Sequence, residues 1–418
     1  DLSSVPHVEE SQRKSPINIL ASPRQNKTNK KNYFKLSKKT YAEIISWNFI
    51  ILFAFFFAVD FCYTKFWFDA SDVTLVENAQ SEKAYRVKHD VYHHTLKSNF
   101  NGYGVWGRKS HKICTDEHGF KISCYQKEPS GTQFDIAFIG DSFTEGVGME
   151  YEDSFVGMFA NRFNELKIAN FGVSSYSPIV YLTKVKHILD SGINFKHLVV
   201  FVDISDLYND ITHFLDSKGS VVTYGEIANK IELNKRSANG NIANKIELNK
   251  RSAIRKFIVD NFRLTTVLYR YVNYDIFGRN LPRHEINFSN WTYNSDVNDY
   301  GEMGVDHAID LSKNYMNELY KLIKLSDIKL SVGVYPWPDQ IFNDKLIGNR
   351  QSEIWKDFCA YRCEMYIDLF PKFADLREKI GAEKVYSRNY INNDVHFNKS
   401  GNRLVFEALF ESYSKYAN

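Results

Sequence analysis

The sequence predicts an α/β fold built on a central parallel sheet, and three observations carry that prediction. Short apolar runs recur along the chain, a helical pattern separates several of them, and small or nucleophilic residues follow their ends. The runs are Asp135 to Ile139, Lys167 to Phe171, His197 to Val202, Lys329 to Tyr335 and Glu364 to Asp368. Between the second and third, Ile179 to Leu189 places apolar residues at helical spacing. Strand alternating with helix favours a parallel sheet covered on both faces, a three-layer sandwich. Ligands of such sheets bind beyond the carboxyl ends of the strands, where Ser142, Gly172 and Ser205 all fall.

Taken in chain order, residues 1 to about 40 are polar, contain Pro6, Pro16 and Pro23, and show no periodicity. They read as a disordered cytoplasmic tail. Lys27, Lys30, Lys31, Lys35, Lys38 and Lys39 close it. Residues 41–63 are apolar over a length that spans a bilayer, with Trp47, Tyr63 and Trp67 placed to anchor at the two interfaces. A core helix would show a polar face, and this run has almost none. A signal peptide wants small residues at its cleavage site, which Asp60-Phe61-Cys62-Tyr63 does not supply. The expectation is an uncleaved single-pass anchor. Its lysine-rich flank holds the N-terminus in the cytoplasm, and the rest of the chain is exported to the periplasmic or extracellular face.

Among all 418 residues, 53 basic side chains face 50 acidic ones, a balance that argues against nucleic acid as a partner. Residues 64–130 are expected to form a lead-in that packs on the main domain, expected over 131–418. Export gives the cysteines meaning. Cys114 and Cys124 flank a turn at His118-Gly119 and are placed either to pair or to stay as buried thiols. Cys359 and Cys363 stand one helical turn apart, a poor zinc site, and the same alternatives apply. His93 and His94 are adjacent on an extended stretch, where neighbouring side chains point to opposite sides. A packing or hydrogen-bonding role suits them better than a metal, and no metal site is expected.

The first strand ends in Phe138-Ile139-Gly140-Asp141-Ser142-Phe143-Thr144-Glu145-Gly146. A serine at a sharp strand-to-helix corner exposes its hydroxyl and sets its amide at a helix N-terminus, where an anion is welcome. A serine hydroxyl needs an imidazole to take its proton and a carboxylate to orient that imidazole. Asn393-Asp394-Val395-His396-Phe397-Asn398 supplies both on one loop, just ahead of an amphipathic C-terminal helix.

With these two segments the chain resembles the SGNH/GDSL hydrolase superfamily, in its bacterial membrane-anchored esterase or O-acyltransferase form. The likeness runs from about Tyr85 to the C-terminus and includes Thr115-Asp116-Glu117-His118-Gly119-Phe120 as a lead-in. Asn170-Phe171-Gly172-Val173 is similar to the block whose glycine amide enters the oxyanion hole. Phe201-Val202-Asp203-Ile204-Ser205-Asp206 stands where the third block is expected, but Ser205 replaces its asparagine. The resemblance implies a flavodoxin-like sandwich, a triad of Ser142, His396 and Asp394, and an oxyanion hole from Ser142, Gly172 and the Ser205 region. Many members space the acid one residue further from the histidine, which would select Asn393; Asp394 is preferred because an amide cannot stabilise an imidazolium by charge. No cofactor is implied.

Val334-Tyr335-Pro336-Trp337-Pro338 closes the fourth strand, since two prolines cannot continue a ladder. Trp337 either walls the substrate crevice or packs on a neighbour at its rim. The segment from about 207 to 298 is a long insertion, in which Ile227 to Ala238 recurs identically as Ile242 to Ala253. One extra copy is not a solenoid. Lys245, Lys250, Arg251, Arg255 and Lys256 make it basic.

The function expected is removal or transfer of O-acyl groups, of the acetyl kind, on an exported substrate such as a cell-surface glycan or a small ester. A membrane-bound acyl-donor protein is the partner such a transferase would use. The alternative is a non-catalytic glycan-binding or scaffolding subunit of a membrane acylation complex.

Overall fold

The computed structural model describes residues 37–67, 82–106, 109–125, 131–225, 261–262, 264–265, 268, 288–294, 297, 300, 303–392 and 394–417. Both copies of the duplicated segment, Asn393 and most of the N-terminal tail lie outside them. The chain divides into two units, Asp1–Val59 and Asp60–Asn418.

Helix α1 (Lys38–Cys62) passes into a short π-helical turn, Tyr63–Trp67. Thr40–Phe66 is long and apolar enough to cross a membrane, with a mean hydropathy of 2.1. It presents Trp47, Phe49, Phe53 and Phe55 outward rather than into a core. Asp60, near the far end of that stretch, is buried and accepts the backbone N–H groups of Leu264 and Thr265 and the Thr265 hydroxyl.

The lead-in forms small antiparallel sheets: β1 (Arg86–His89) with β2 (His93–Leu96), and β3 (Asn101–Trp106) with β4 (Lys109–Thr115) and β5 (Lys121–Ile122). Cys114 and Cys124 are joined, with Cα atoms 5.3 Å apart, and so are Cys359 and Cys363, at 4.8 Å. The two possibilities left open for each pair resolve as disulfides. Tyr85, Tyr92, Leu96, Ile113 and Phe120 belong to the same buried core as the main sheet, so the lead-in is not a separate body.

The main sheet holds β6 (Gln133–Ile139), β7 (Ile168–Asn170), β8 (Asn194–Val202), β11 (Lys329–Val334) and β12 (Met365–Asp368). All its pairings are parallel, and the spatial order is β12-β11-β8-β6-β7. By sequence that is second-first-third-fourth-fifth, the flavodoxin-like order, whose crevice opens between the first and third strands. The expected runs match these strands to within a few residues. Their interior is buried without alternation, as both faces are covered: the last six residues of β8, His197 to Val202, are all buried.

Helices follow the strands. Of those used below, α2 is Ser142–Glu145, α3 is Phe155–Arg162, α4 is Pro178–Asp190 and α5 is Asp206–Thr212. After the short hairpin of β9 (His213–Leu215) and β10 (Val221–Thr223) comes α6, Gly304–Leu325. Helix α7 (Pro338–Ile341) starts at the second proline of the breaker sequence. Further α-helices among the described residues are α8 (Arg350–Cys359), α9 (Phe370–Ile380), α10 (Ala382–Asn389) and α11 (Lys399–Ala417).

Candidate active site

The corner after β6 is built by Gly140. A side chain there would run into the Thr144 hydroxyl and come within 2.8 Å of the Phe201 carbonyl, so only glycine lets β6 turn so tightly into α2. Asp141 caps α2 by accepting the Phe143 N–H at 3.0 Å. This leaves Ser142 as the first helical residue, buried beneath the crevice.

The second loop comes from the other end of the chain. Ile391 N–H bonds the His396 carbonyl at 2.8 Å, Asp394 N–H bonds the Ile391 carbonyl at 3.0 Å, and Tyr390 bridges to Phe397. Asn398 then accepts the Ser400 and Gly401 N–H groups and starts α11. So held, His396 places Nε2 2.7 Å from the Ser142 Oγ and Nδ1 2.5 Å from Asp394 Oδ1. The same oxygen accepts the His396 backbone N–H at 2.9 Å. The imidazole lies against the Phe143 ring on one side, 4.8 Å between centroids, and meets Trp106 edge-on at 5.0 Å.

The electrostatics suit proton transfer. Burial alone would lower the His396 pKa, but the Asp394 charge and hydrogen bond outweigh it and hold the imidazole above its ordinary value. Burial would raise Asp394, but His396 and the donors on both its oxygens keep that carboxyl below its ordinary value. An ionised acid beside a basic imidazole is the arrangement a general base needs.

Beneath the triad lies a set of buried acids. The Ser142 hydroxyl is also 3.1 Å from Asp141 Oδ2, and the Tyr335 hydroxyl donates to Asp141 Oδ1 at 3.0 Å. Burial and the nearby Asp203 charge push Asp141 up to about 7. Asp203, also raised by burial, accepts the Trp337 indole N–H at 2.6 Å and the Ser205 backbone and hydroxyl donors at 2.8 and 2.6 Å. Asp206 behind it accepts the Asp203 N–H and the Tyr181 hydroxyl.

Each residue expected at the oxyanion hole is therefore placed, with its donors in different states. Ser142 N–H opens α2 at the corner. Gly172 N–H bonds the Asn170 side-chain oxygen at 3.0 Å, and a side chain at Gly172 would strike Thr144. Both Ser205 donors are turned onto Asp203. Trp337 is held by the same carboxylate, half-buried, with its ring 6.2 Å from Phe143 and 5.9 Å from Phe288.

The lead-in clamps this region. Arg86 binds Glu145, at the end of α2, through two nitrogens at 2.9 and 3.2 Å, and Glu145 in turn accepts the Ser174 N–H at 2.7 Å. His94 Nε2 bonds the Ser174 carbonyl at 2.7 Å. The His93 and His94 rings touch, Nδ1 to Nδ1 at 2.7 Å, which corrects the expectation that they diverge. The cause is local: His93 has φ of 73°, so the backbone there is not extended. Their hydrogen-bonding role stands. Buried Lys121 donates to the Gly146 and Met149 carbonyls, and Trp106 donates to Asp394 Oδ2 at 2.8 Å.

Trp106, Tyr335, Arg86 and Lys121 were not legible as site residues, because only the fold brings them to the motif. Asp141 had a signal, its place inside the Gly-Asp-Ser corner. Among the described residues no group of acids, histidines and cysteines is arranged to hold a metal ion.

No family model matches this chain, and neither does any curated protein. Solved structures do. A lipolytic protein of the G-D-S-L family from Veillonella parvula is 12% identical over 67% of this chain and 98% of its own, with a TM-score of 0.36. The acetyl xylan esterase AlAXEase is 14% identical over 66% of this chain and 98% of its own, with a TM-score of 0.35. For the acetylxylan esterase Axe2 of Geobacillus stearothermophilus the figures are 12%, 69% and 96%, with a TM-score of 0.34. In fold, the chain is similar to G-D-S-L lipolytic proteins and acetylxylan esterases of known structure.

Proposed function

We propose that this chain is a serine-dependent ester hydrolase or O-acyltransferase of the SGNH type, acting on O-acyl groups, of the acetyl kind, carried by an exported glycan or small ester. The observation that carries the reading is the unbroken relay from Ser142 Oγ through His396 to Asp394, at 2.7 and 2.5 Å. As the Ser142 oxygen adds to the acyl carbonyl, its proton passes to His396 Nε2, and Asp394 stabilises the imidazolium. Collapse expels the alcohol, which takes that proton, and leaves an acyl-serine. In the second half His396 deprotonates either water or an acceptor hydroxyl, and Ser142 is regenerated.

The oxyanion is assigned to the Ser142 and Gly172 amides, with Gly172 sharing its N–H between Asn170 and the developing charge. Ser205 serves Asp203 instead. A lost donor costs roughly 3 kcal/mol of barrier. That loss raises the barrier of acylation and deacylation alike, whether water or a sugar hydroxyl is the acceptor. It is also the observation on which the second reading rests, a glycan-binding subunit of an acylation complex that keeps the triad geometry without turnover. A membrane-bound acyl-donor protein fits the first reading.

A fluorophosphonate probe separates the two, since only an activated serine is labelled. Labelling of the full-length protein in detergent is expected, abolished in Ser142→Ala. Incubation with an activated acetyl ester and candidate glycans then reports whether water or sugar receives the acyl group. Absence of labelling in the folded parent would end the enzyme reading and promote the binding one.

A further inference from the structure

We propose that Trp106 is a positioning residue for the triad, acting through Asp394. The proposal rests on the serine-ester reading of the site. A carboxylate turns about its Cβ–Cγ bond, and only one orientation gives the imidazole a straight acceptor. In this protein the two oxygens are assigned to different partners. Oδ1 accepts both His396 Nδ1 and the His396 backbone N–H, while Oδ2 accepts the Trp106 indole N–H at 2.8 Å. An indole nitrogen can only donate, so it favours the ionised carboxylate and cannot turn it the other way. The same ring meets the His396 imidazole edge-on, 5.0 Å between centroids and 86° between planes. One side chain therefore touches both partners of the hydrogen bond that makes His396 a base.

The scaffold behind Trp106 shows that the placement is built in. Trp106 closes β3 and pairs with Lys109 across the hairpin to β4. Its ring passes over Gly148, where a side chain would come within 3.2 Å of Cδ1 and 3.3 Å of Cβ. Neighbouring β5 sends Lys121 to the Gly146 and Met149 carbonyls on either side of that glycine. The small lead-in sheet is thus fastened to the loop after α2 and reaches from there to Asp394, 288 residues further along the chain. On this view the lead-in is part of the catalytic apparatus, and the triad is completed from outside the parallel sheet.

The test is Trp106→Phe in the full chain in detergent, which keeps a ring at the site and deletes the N–H. Turnover of an activated acetyl ester should fall about tenfold in kcat, as expected for one charge-assisted hydrogen bond, with KM within about twofold. With its donor gone, Asp394 draws the imidazolium more strongly. The acid limb of the kcat/KM profile should then move to higher pH by about half a unit. In an Asp394→Asn background the substitution should add little, because the acceptor it serves is already altered. A loss that persists undiminished there would assign Trp106 to substrate contact and overturn the proposal; so would kcat within twofold of the parent with an unmoved limb.

A proton NMR spectrum of the resting protein keeps the outcome separate from the enzyme reading. The His396 Nδ1–H resonance, expected far downfield in the parent, should shift in Trp106→Phe. A shift in a protein without esterase turnover would uphold the positioning role while the enzyme reading fails. If the phenylalanine variant does not fold, benzothienylalanine at 106, with sulfur in place of N–H and both rings kept, takes its place.

Discussion

Ser142 is held between two groups of opposite consequence. His396 draws its proton away, while Asp141, 3.1 Å off on the other side, is a buried acid with a pKa near 7 that competes for the same hydrogen bond. The side that wins is set by pH. His396 lies above its ordinary value, so it becomes a free base only above about pH 6.5. The kcat/KM for an activated acetyl ester should accordingly fall on acidification with a limb above pH 6.5, as a pH profile would report. Replacing Asp394 with Asn removes the charge that raises His396. The limb should then move to lower pH while kcat drops on the order of a thousandfold. A limb that stays in place in Asp394→Asn would show that another group sets it. At this scale the grouping of Ser142, His396 and Asp394 was readable from Gly140-Asp141-Ser142 and Asp394-Val395-His396, because a strand-to-helix corner and a short acid-histidine loop are local in sequence. Asp203 and Tyr335 were not. Their approach to Asp141 depends on which strands lie side by side, and nothing in a linear pattern states that the third strand lies beside the first with the fourth next to it.

Among the elements, the helix starts explain most about why the crevice keeps its shape. Helix α4 begins at Pro178, and the Ile179 N–H of its first turn bonds not a local cap but Asp210 Oδ1 in α5, at 3.1 Å. Ser312 of α6 donates to the other Asp210 oxygen. One carboxylate therefore ties together three mutually packed helices, and burial pushes it up to about 7. The sign follows from linkage. A carboxyl raised from about 3.9 unfolded to about 7 folded stabilises fully below pH 4, and that contribution is lost as pH rises toward 7. Asparagine can accept from Ile179 and donate to Ser312 without titrating. The unfolding free energy of Asp210→Asn relative to the parent should grow by about 2 to 3 kcal/mol between pH 5 and pH 7. Denaturant melts at the two pH values measure it, and a difference that does not change with pH would refute the shift. Strand positions were legible to within a few residues because apolar runs with proline or glycine ends survive any tertiary context. The disulfides and the touching histidines were not, since each depends on local backbone geometry; the φ of 73° at His93 leaves no mark in residue type.

Over the whole molecule, the lysine-rich segment, the apolar helix and the cysteines bear on one question, the side of the membrane on which the crevice works. Lysines accumulate before Ile44, and the orientation proposed from the positive-inside rule has that flank cytoplasmic. Both disulfides, Cys114–Cys124 and Cys359–Cys363, lie after the candidate span, while the free cysteine, Cys62, lies within it. Disulfides persist outside the reducing cytosol, so the same orientation is proposed on an argument independent of charge. A reporter active only outside the cytoplasm, fused after residue 418, should therefore be active, and one that functions only in the cytoplasm should be silent. Thiol labelling of the unreduced, denatured protein should modify Cys62 alone, and reduction should add four further sites. Replacing Lys35, Lys38 and Lys39 with Gln should weaken the orientation without touching the cysteines, which separates the two arguments. A cytoplasmic reporter active at residue 418, together with five reactive thiols before reduction, would place the catalytic residues inside the cell, and the substrate would then have to be sought among cytosolic esters.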